Sequence, residues 1–235
     1  MSQIIAATTR DRAKPCLAVK RYFAIFGLQF VERAPETSLV SIWSFITDFG
    51  DTAVTVPVAV VMLSFLIVAR QPRLIACWAV AILGCVGTIG GLKLMLDACG
   101  SPLAAASLTS PSGHVAMSTA VYGGSAIVIG TSLGRPARAA LISSAVVLII
   151  AMSLSRIVLH VHSLAEVLVG LAVGLASVTI IAATTSFNGR EQLPVFWLAA
   201  VTISVATLFH GERWPAERVI HDLSGWLEVL QSWCY

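Results

Sequence analysis

Residues 139–155 read AALISSAVVLIIAMSLS, a run without one charged side chain that stops against Arg156. In a bilayer a segment of this length has no water to bond its backbone, so it must close its hydrogen bonds within one helix. Five more charge-free runs lie on either side, at approximately Ala53–Ala69, Leu74–Leu92, Val115–Gly134, Val167–Gly189 and Leu193–Phe209. The whole chain is 235 residues, 57% hydrophobic and 11% charged, with mean hydropathy +0.87. Such a composition excludes a soluble domain of any size and predicts an all-α, six-transmembrane helical bundle.

The ends differ from the middle. Ile4–Ala7 is too short for the apolar core of a secretory signal, and Arg10, Arg12 and Lys14 follow it rather than precede it, so no signal is expected. From Cys16 to Val31, apolar positions alternate with Lys20, Arg21 and Gln29, the pattern of a helix lying on a membrane surface. Ser38 to Phe49, with Trp43 and Phe45, is a second candidate interfacial piece. Near the other end Val219, Leu223, Trp226, Leu227, Leu230 and Trp233 share one helical face. The expected organisation is therefore an interfacial N-terminal segment (1–50), a transmembrane core (51–210) and an amphipathic C-terminal helix (211–235).

Six spans put Arg70, Arg73, Arg135, Arg138 and Arg190 on one side of the membrane. Basic residues in short loops mark the cytoplasmic side. The opposite side, periplasmic or extracellular, then carries both termini, the loop from Lys93 to His114 and the loop from Arg156 to Glu166. The five cysteines contain no CxxC pair and do not cluster with histidine, so neither a metal site nor a disulfide framework is expected. Gly87/Gly91 and Gly170/Gly174 have the small-xxx-small spacing of closely packed helices.

Ionisable groups at the edge of apolar runs are expensive and therefore usually functional. Pro111-Ser112-Gly113-His114 opens one such run. Ser110 reads as a helix N-cap and Pro111 as the first helical residue. The N–H groups of Ser112 and Gly113 then lack helical partners and offer a seat for a phosphate. Gly113 permits close approach of a ligand to the backbone, and His114 on the same turn can give or take a proton. The competing reading is a capped helix with an interfacial histidine.

The second cluster is Ser155-Arg156, His162 and Glu166. Arg156 can clamp a phosphate through its planar fork. Glu166, one helical turn after His162, can fix the imidazole tautomer and leave the other nitrogen as a nucleophile. Ser163-Leu-Ala-Glu166 is also a capping box, so two roles are open to Glu166. Lys93 and Arg156 could equally snorkel to the interface. His160 is the rival nucleophile, with Leu164 and no carboxylate four residues on.

These motifs resemble those of the type 2 phosphatidic acid phosphatase family, membrane lipid phosphatases related to the vanadium haloperoxidases. Pro111–His114 matches the second family motif in full. Ser155, Arg156 and His162 match the third, with Glu166 where the family has aspartate, and Gly50-Asp51 is similar to the segment before the first span. The likeness runs from about Gly50 to Gly189. The first motif fits at Gly91-Leu92-Lys93 but departs at Gly100-Ser101, where the family has Arg-Pro.

The resemblance implies a lipid phosphatase acting through a phosphohistidine. In it His162, His114 and Glu166 are catalytic, and Lys93, Arg156, Ser112 and Gly113 bind the substrate phosphate. No metal or other cofactor and no nucleic-acid partner is implied. A site at the interface suits a lipid phosphate or diphosphate: undecaprenyl diphosphate, phosphatidic acid, phosphatidylglycerol phosphate or a lipid A phosphate. The implied location is a bacterial inner membrane with the site facing the periplasm. The alternative, prompted by Gly100-Ser101, is a non-catalytic lipid-binding or lipid-moving protein.

Overall fold

The computed structural model describes residues 38–99, 109–185 and 195–212. The interfacial helix expected over Cys16–Val31, the C-terminal amphipathic helix and the Gly100-Ser101 position lie outside the described residues. Regular secondary structure among the described residues is helical throughout. The elements are α1 (Ser38–Asp48), α2 (Thr52–Val68), α3 (Pro72–Cys99), α4 (Gly113–Ser118), a π turn (Thr119–Gly123), α5 (Gly124–Gly130), α6 (Arg135–Val158), α7 (Leu164–Thr184) and α8 (Val195–Leu208).

Among the described residues, four stretches are long and apolar enough to cross a bilayer: Val40–Val68, Pro72–Asp97, Arg135–Val158 and Leu164–Thr184. They make this a membrane protein. The other two expected spans differ for different reasons. The run opening at α4 is interrupted by the π turn, and α8 is only 14 residues long. The outer faces of the bundle are apolar, with Leu83, Val147, Phe196 and Ile203 exposed, as surfaces meeting lipid must be.

The core forms where α2, α3, α4, the π turn and α7 meet. Trp78 of α3 is fully buried there and donates its indole N–H to Ala59 O of α2 at 3.1 Å, which satisfies the one polar group that its burial would strand. Ser177 of α7 reaches Ala81 O of α3 at 3.1 Å. Helix α7 packs on α4 through glycines: a Cβ at Gly170 would overlap the carbonyl oxygen of Ser112. One at Gly174 would lie 2.5 Å from Thr119 Cβ and 2.7 Å from Ala116 O. The close packing expected of Gly87 and Gly91 is not found among the described residues, where a Cβ at either would meet nothing within 4 Å. Spacing alone does not say which face of a helix its neighbour takes.

Two helices end in the same way. Arg70 and His160 both adopt left-handed φ of 54°, and each is followed by a backbone N–H that turns back to the last helical turn. Gln71 N–H donates to Leu66 O at 3.1 Å, and Val161 N–H donates to Arg156 O at 3.1 Å. Both are Schellman closures with a non-glycine in the strained position. The second one turns the chain sharply between α6 and α7, so His162 comes back beside Arg156.

Candidate active site

The second helix start is a capping box. Ser163 Oγ accepts the Glu166 N–H at 3.3 Å while Glu166 Oε2 accepts the Ser163 N–H at 3.0 Å. The same Oε2 lies 3.0 Å from His162 Nδ1. The two roles open to Glu166 in the sequence are thus performed together, by one oxygen. The other oxygen, Oε1, accepts the Thr109 N–H at 2.9 Å, the Thr109 hydroxyl at 2.6 Å and the Ser110 N–H at 2.8 Å. Five donors converge on one buried carboxylate, so its position is fixed from both sides.

His162 follows from this. Its side chain is 6% exposed, and its Nε2 is buried with no hydrogen-bond partner among the described residues. Burial holds the imidazole below its ordinary pKa; the Glu166 hydrogen bond and charge act in the opposite direction, and the charges of Arg156 and Lys93 push the same way as burial. Lys93, buried on α3, and Arg156, buried at the end of α6, therefore both act electrostatically on His162. Arg156 is itself held by α1, donating from Nη1 to Thr47 Oγ1 at 3.1 Å. His160, the rival, is exposed at the αL position of the α6 terminus.

The first motif residue to need correction is Ser110. The helix begins not there but at Gly113, with Ser112 as N-cap. The Thr109 and Ser110 N–H groups are drawn onto Glu166, which keeps that strand of chain from winding into the helix. The Ser112 N–H is not available to a ligand either, because it donates to Glu166 O at 3.1 Å. That contact exists because Gly170 lets the two backbones meet. What Ser112 retains is its hydroxyl, buried and without a hydrogen-bond partner among the described residues. The Gly113, His114 and Val115 N–H groups open the helix, where geometry supplies no helical acceptor. The Cβ position of Gly113 is open apart from Ile89 at 3.7 Å.

His114 is partly exposed, and its Nε2 lies 3.4 Å from Asp51 Oδ2. Asp51 enters the sequence only through the family resemblance at Gly50-Asp51, with no role attached to it. Thr109 and Thr47 were missed altogether; neither belongs to a motif, and each acts through the fold. The site is thus assembled from α1, the α1–α2 junction, α3, α4, the end of α6 and the start of α7.

The stretch of chain that carries these residues matches a family of known proteins. The PAP2 superfamily model matches residues 49–190. The chain belongs to the PAP2 superfamily. That membership supports a phosphatase. The chain is also 26% identical over 187 residues to an uncharacterized 22.5 kDa protein in the cps region of Klebsiella pneumoniae, the match covering 77% of this chain and 90% of that one. No solved structure matches it.

Proposed function

We propose that this PAP2 protein is a lipid phosphatase that hydrolyses a lipid phosphomonoester or diphosphate through a phosphohistidine. The observation that carries this reading is the state of His162: Nδ1 is engaged by Glu166 while the buried Nε2 has no partner among the described residues. A histidine held in this way is a prepared nucleophile. Nε2 attacks phosphorus in line, the P–N bond forms as the P–O bond to the leaving group breaks, and Glu166 steadies the resulting cation. His114 gives its proton to the departing oxygen. It then takes a proton from the water that displaces the histidine and releases phosphate.

Lys93, Arg156, the Ser112 hydroxyl and the Gly113 N–H are suited to the equatorial oxygens, where charge stays through phosphoryl transfer. With two cations against the phosphate, the reaction as proposed uses no metal. A lipid substrate is favoured by the site's position at the end of the apolar helices. It is also favoured by an open, mainly apolar groove of about 440 Å³ between α1 and α6, lined by Phe49, Val147, Leu148 and Ala151 with Ser143 and Ser144, which would suit an acyl or prenyl chain. With the six apolar runs of the sequence taken as spans, the basic loops at Arg70, Arg73, Arg135 and Arg138 fall on the cytoplasmic side, which favours a site on the periplasmic face of a bacterial inner membrane.

The departure at Gly100-Ser101 from the family's Arg-Pro favours a second reading, a lipid-phosphate binder without turnover. One experiment separates them. Purified protein in EDTA is given a panel of lipid phosphates and diphosphates, with His162→Ala as blank, and samples quenched in alkaline detergent are examined for acid-labile, base-stable phosphohistidine. Phosphate release that vanishes in the variant, with a trapped phosphoenzyme, supports the phosphatase. Binding of lipid phosphate without release, from folded protein, moves the reading to the binder.

A further inference from the structure

The two histidines of the site are each paired with a carboxylate, and through opposite ring nitrogens. His162 uses Nδ1 toward Glu166, whereas His114 presents Nε2 to Asp51 Oδ2 at 3.4 Å. Asp51 has a structural task of its own as N-cap of α2, where Oδ1 accepts the Ala53 N–H at 2.9 Å. Capping needs only one oxygen, and Ser, Thr or Asn would serve as well. The second oxygen, turned toward His114, is not explained by the cap.

The surrounding chain is built to keep that oxygen in place. Asp51 is 8% exposed and its backbone carbonyl accepts the Thr55 hydroxyl at 3.0 Å. Gly50 runs flush against α4: a Cβ there would overlap the Met152 methyl and lie 2.8 Å from Ser118 Oγ and 3.5 Å from His114 Cβ. Tyr122, in the π turn, donates its hydroxyl to Phe49 O at 2.7 Å. A π turn displaces the helix register, and here the displaced residue is the one that anchors Phe49. Three consecutive residues are therefore fastened to the helix that carries His114.

We propose that Asp51 is a positioning residue for His114, holding Nε2 so that Nδ1 is the nitrogen that exchanges a proton with the leaving group. This rests on the phosphatase reading above. As the P–O bond breaks, the Nδ1 proton passes to the departing oxygen and Nε2 keeps its proton against the carboxylate; the water attack reverses the transfer. A 3.4 Å separation is of the kind that tightens in a complex with substrate.

The test uses the dependence on leaving group, which a purely structural role would not alter. A long-chain alkyl phosphate needs its oxygen protonated, whereas p-nitrophenyl phosphate leaves without help. Asp51→Asn keeps the cap through its amide oxygen, and Asp51→Ser keeps the cap but cannot reach His114. Both are compared with wild type and His114→Ala by kcat/KM, which reports the steps up to departure of the leaving group. The expected result is a loss of about 10–100-fold on the alkyl phosphate and less than about threefold on the aryl phosphate, in both Asp51 variants, with the same selectivity and a larger loss in His114→Ala. Equal losses on both substrates, or none on either, would overturn the assignment of Asp51 while leaving the phosphatase intact. Wild-type protein silent on both substrates would overturn the phosphatase reading, and the role of Asp51 with it.

Discussion

Thr109 donates both its backbone N–H, at 2.9 Å, and its hydroxyl, at 2.6 Å, to the same oxygen of Glu166, 57 residues away in sequence. The contact joins the loop before Pro111 to the carboxylate that holds His162. Both halves of the site thus share one anchor.

Because every donor around it points inward, Glu166 tolerates no amide. In Glu166→Gln either orientation sets an NH2 against N–H donors, and we expect a loss of roughly 3 kcal/mol in stability together with about a 100-fold or greater fall in kcat. Glu166→Asp restores the residue usual in the family but is one methylene short of spanning from the Ser163 N–H to Thr109. About a tenfold loss is expected, read as phosphate release at saturating substrate.

The pH profile follows from His162. Burial holds its folded pKa below the ordinary value near 6.5, and attack requires the neutral ring. The acid limb of kcat/KM should therefore lie below about pH 6.5. The stability sign agrees: the unfolded histidine takes up its proton first, so this contribution is full above the ordinary pKa and fades as pH falls through the folded one. An acid limb near or above pH 7 in kcat/KM would contradict the burial of this ring.

Arg156→Lys should be far from neutral. Lysine cannot fork, and it abandons the hydroxyl of Thr47 that holds the guanidinium at 3.1 Å. We expect a loss of about 100-fold or more in kcat/KM for Arg156→Ala. Thr47→Val, which removes only the brace, should lose about tenfold, seen mainly in KM.

Gly170→Ala and Gly87→Ala make a matched pair. The first drives a methyl into the Ser112 carbonyl, which as backbone cannot yield. It should cost about 1–3 kcal/mol and displace the Ser112–His114 turn. The second enters open space and should be neutral or up to about 1 kcal/mol stabilising through helix propensity. Thermal unfolding in one detergent compares them.

His160→Gly relieves the left-handed conformation at the α6 terminus and should stabilise the protein by about 1 kcal/mol. Activity should be retained, in contrast to His162→Ala, which should have none. A dead His160 variant would return the nucleophile to question.

Much of this molecule is legible in the chain because its causes are local. Charge-free runs force helices in lipid whatever their neighbours, and Ser163 with Glu166 makes a capping box from four consecutive residues. The spacing of His162 and Glu166 is one helical turn, so their meeting could be read without coordinates. The start of α4 could not. Ser110-Pro111 has the local form of a helix start, but the N–H groups of Thr109 and Ser110 are claimed by a residue of another helix, and the cap moves to Ser112.

The sequence by itself determined the apolar helices, the membrane class and the motifs that supply the candidate site residues, because hydropathy, helical period and motif spacing act over a few residues. Only the tertiary structure decided that Ser112 spends its N–H on Glu166, that Gly170 rather than Gly87 sits at a helix contact, and that Asp51 faces His114. Each of these depends on which faces of separate helices meet. That is fixed by packing over the whole bundle, which no local pattern encodes.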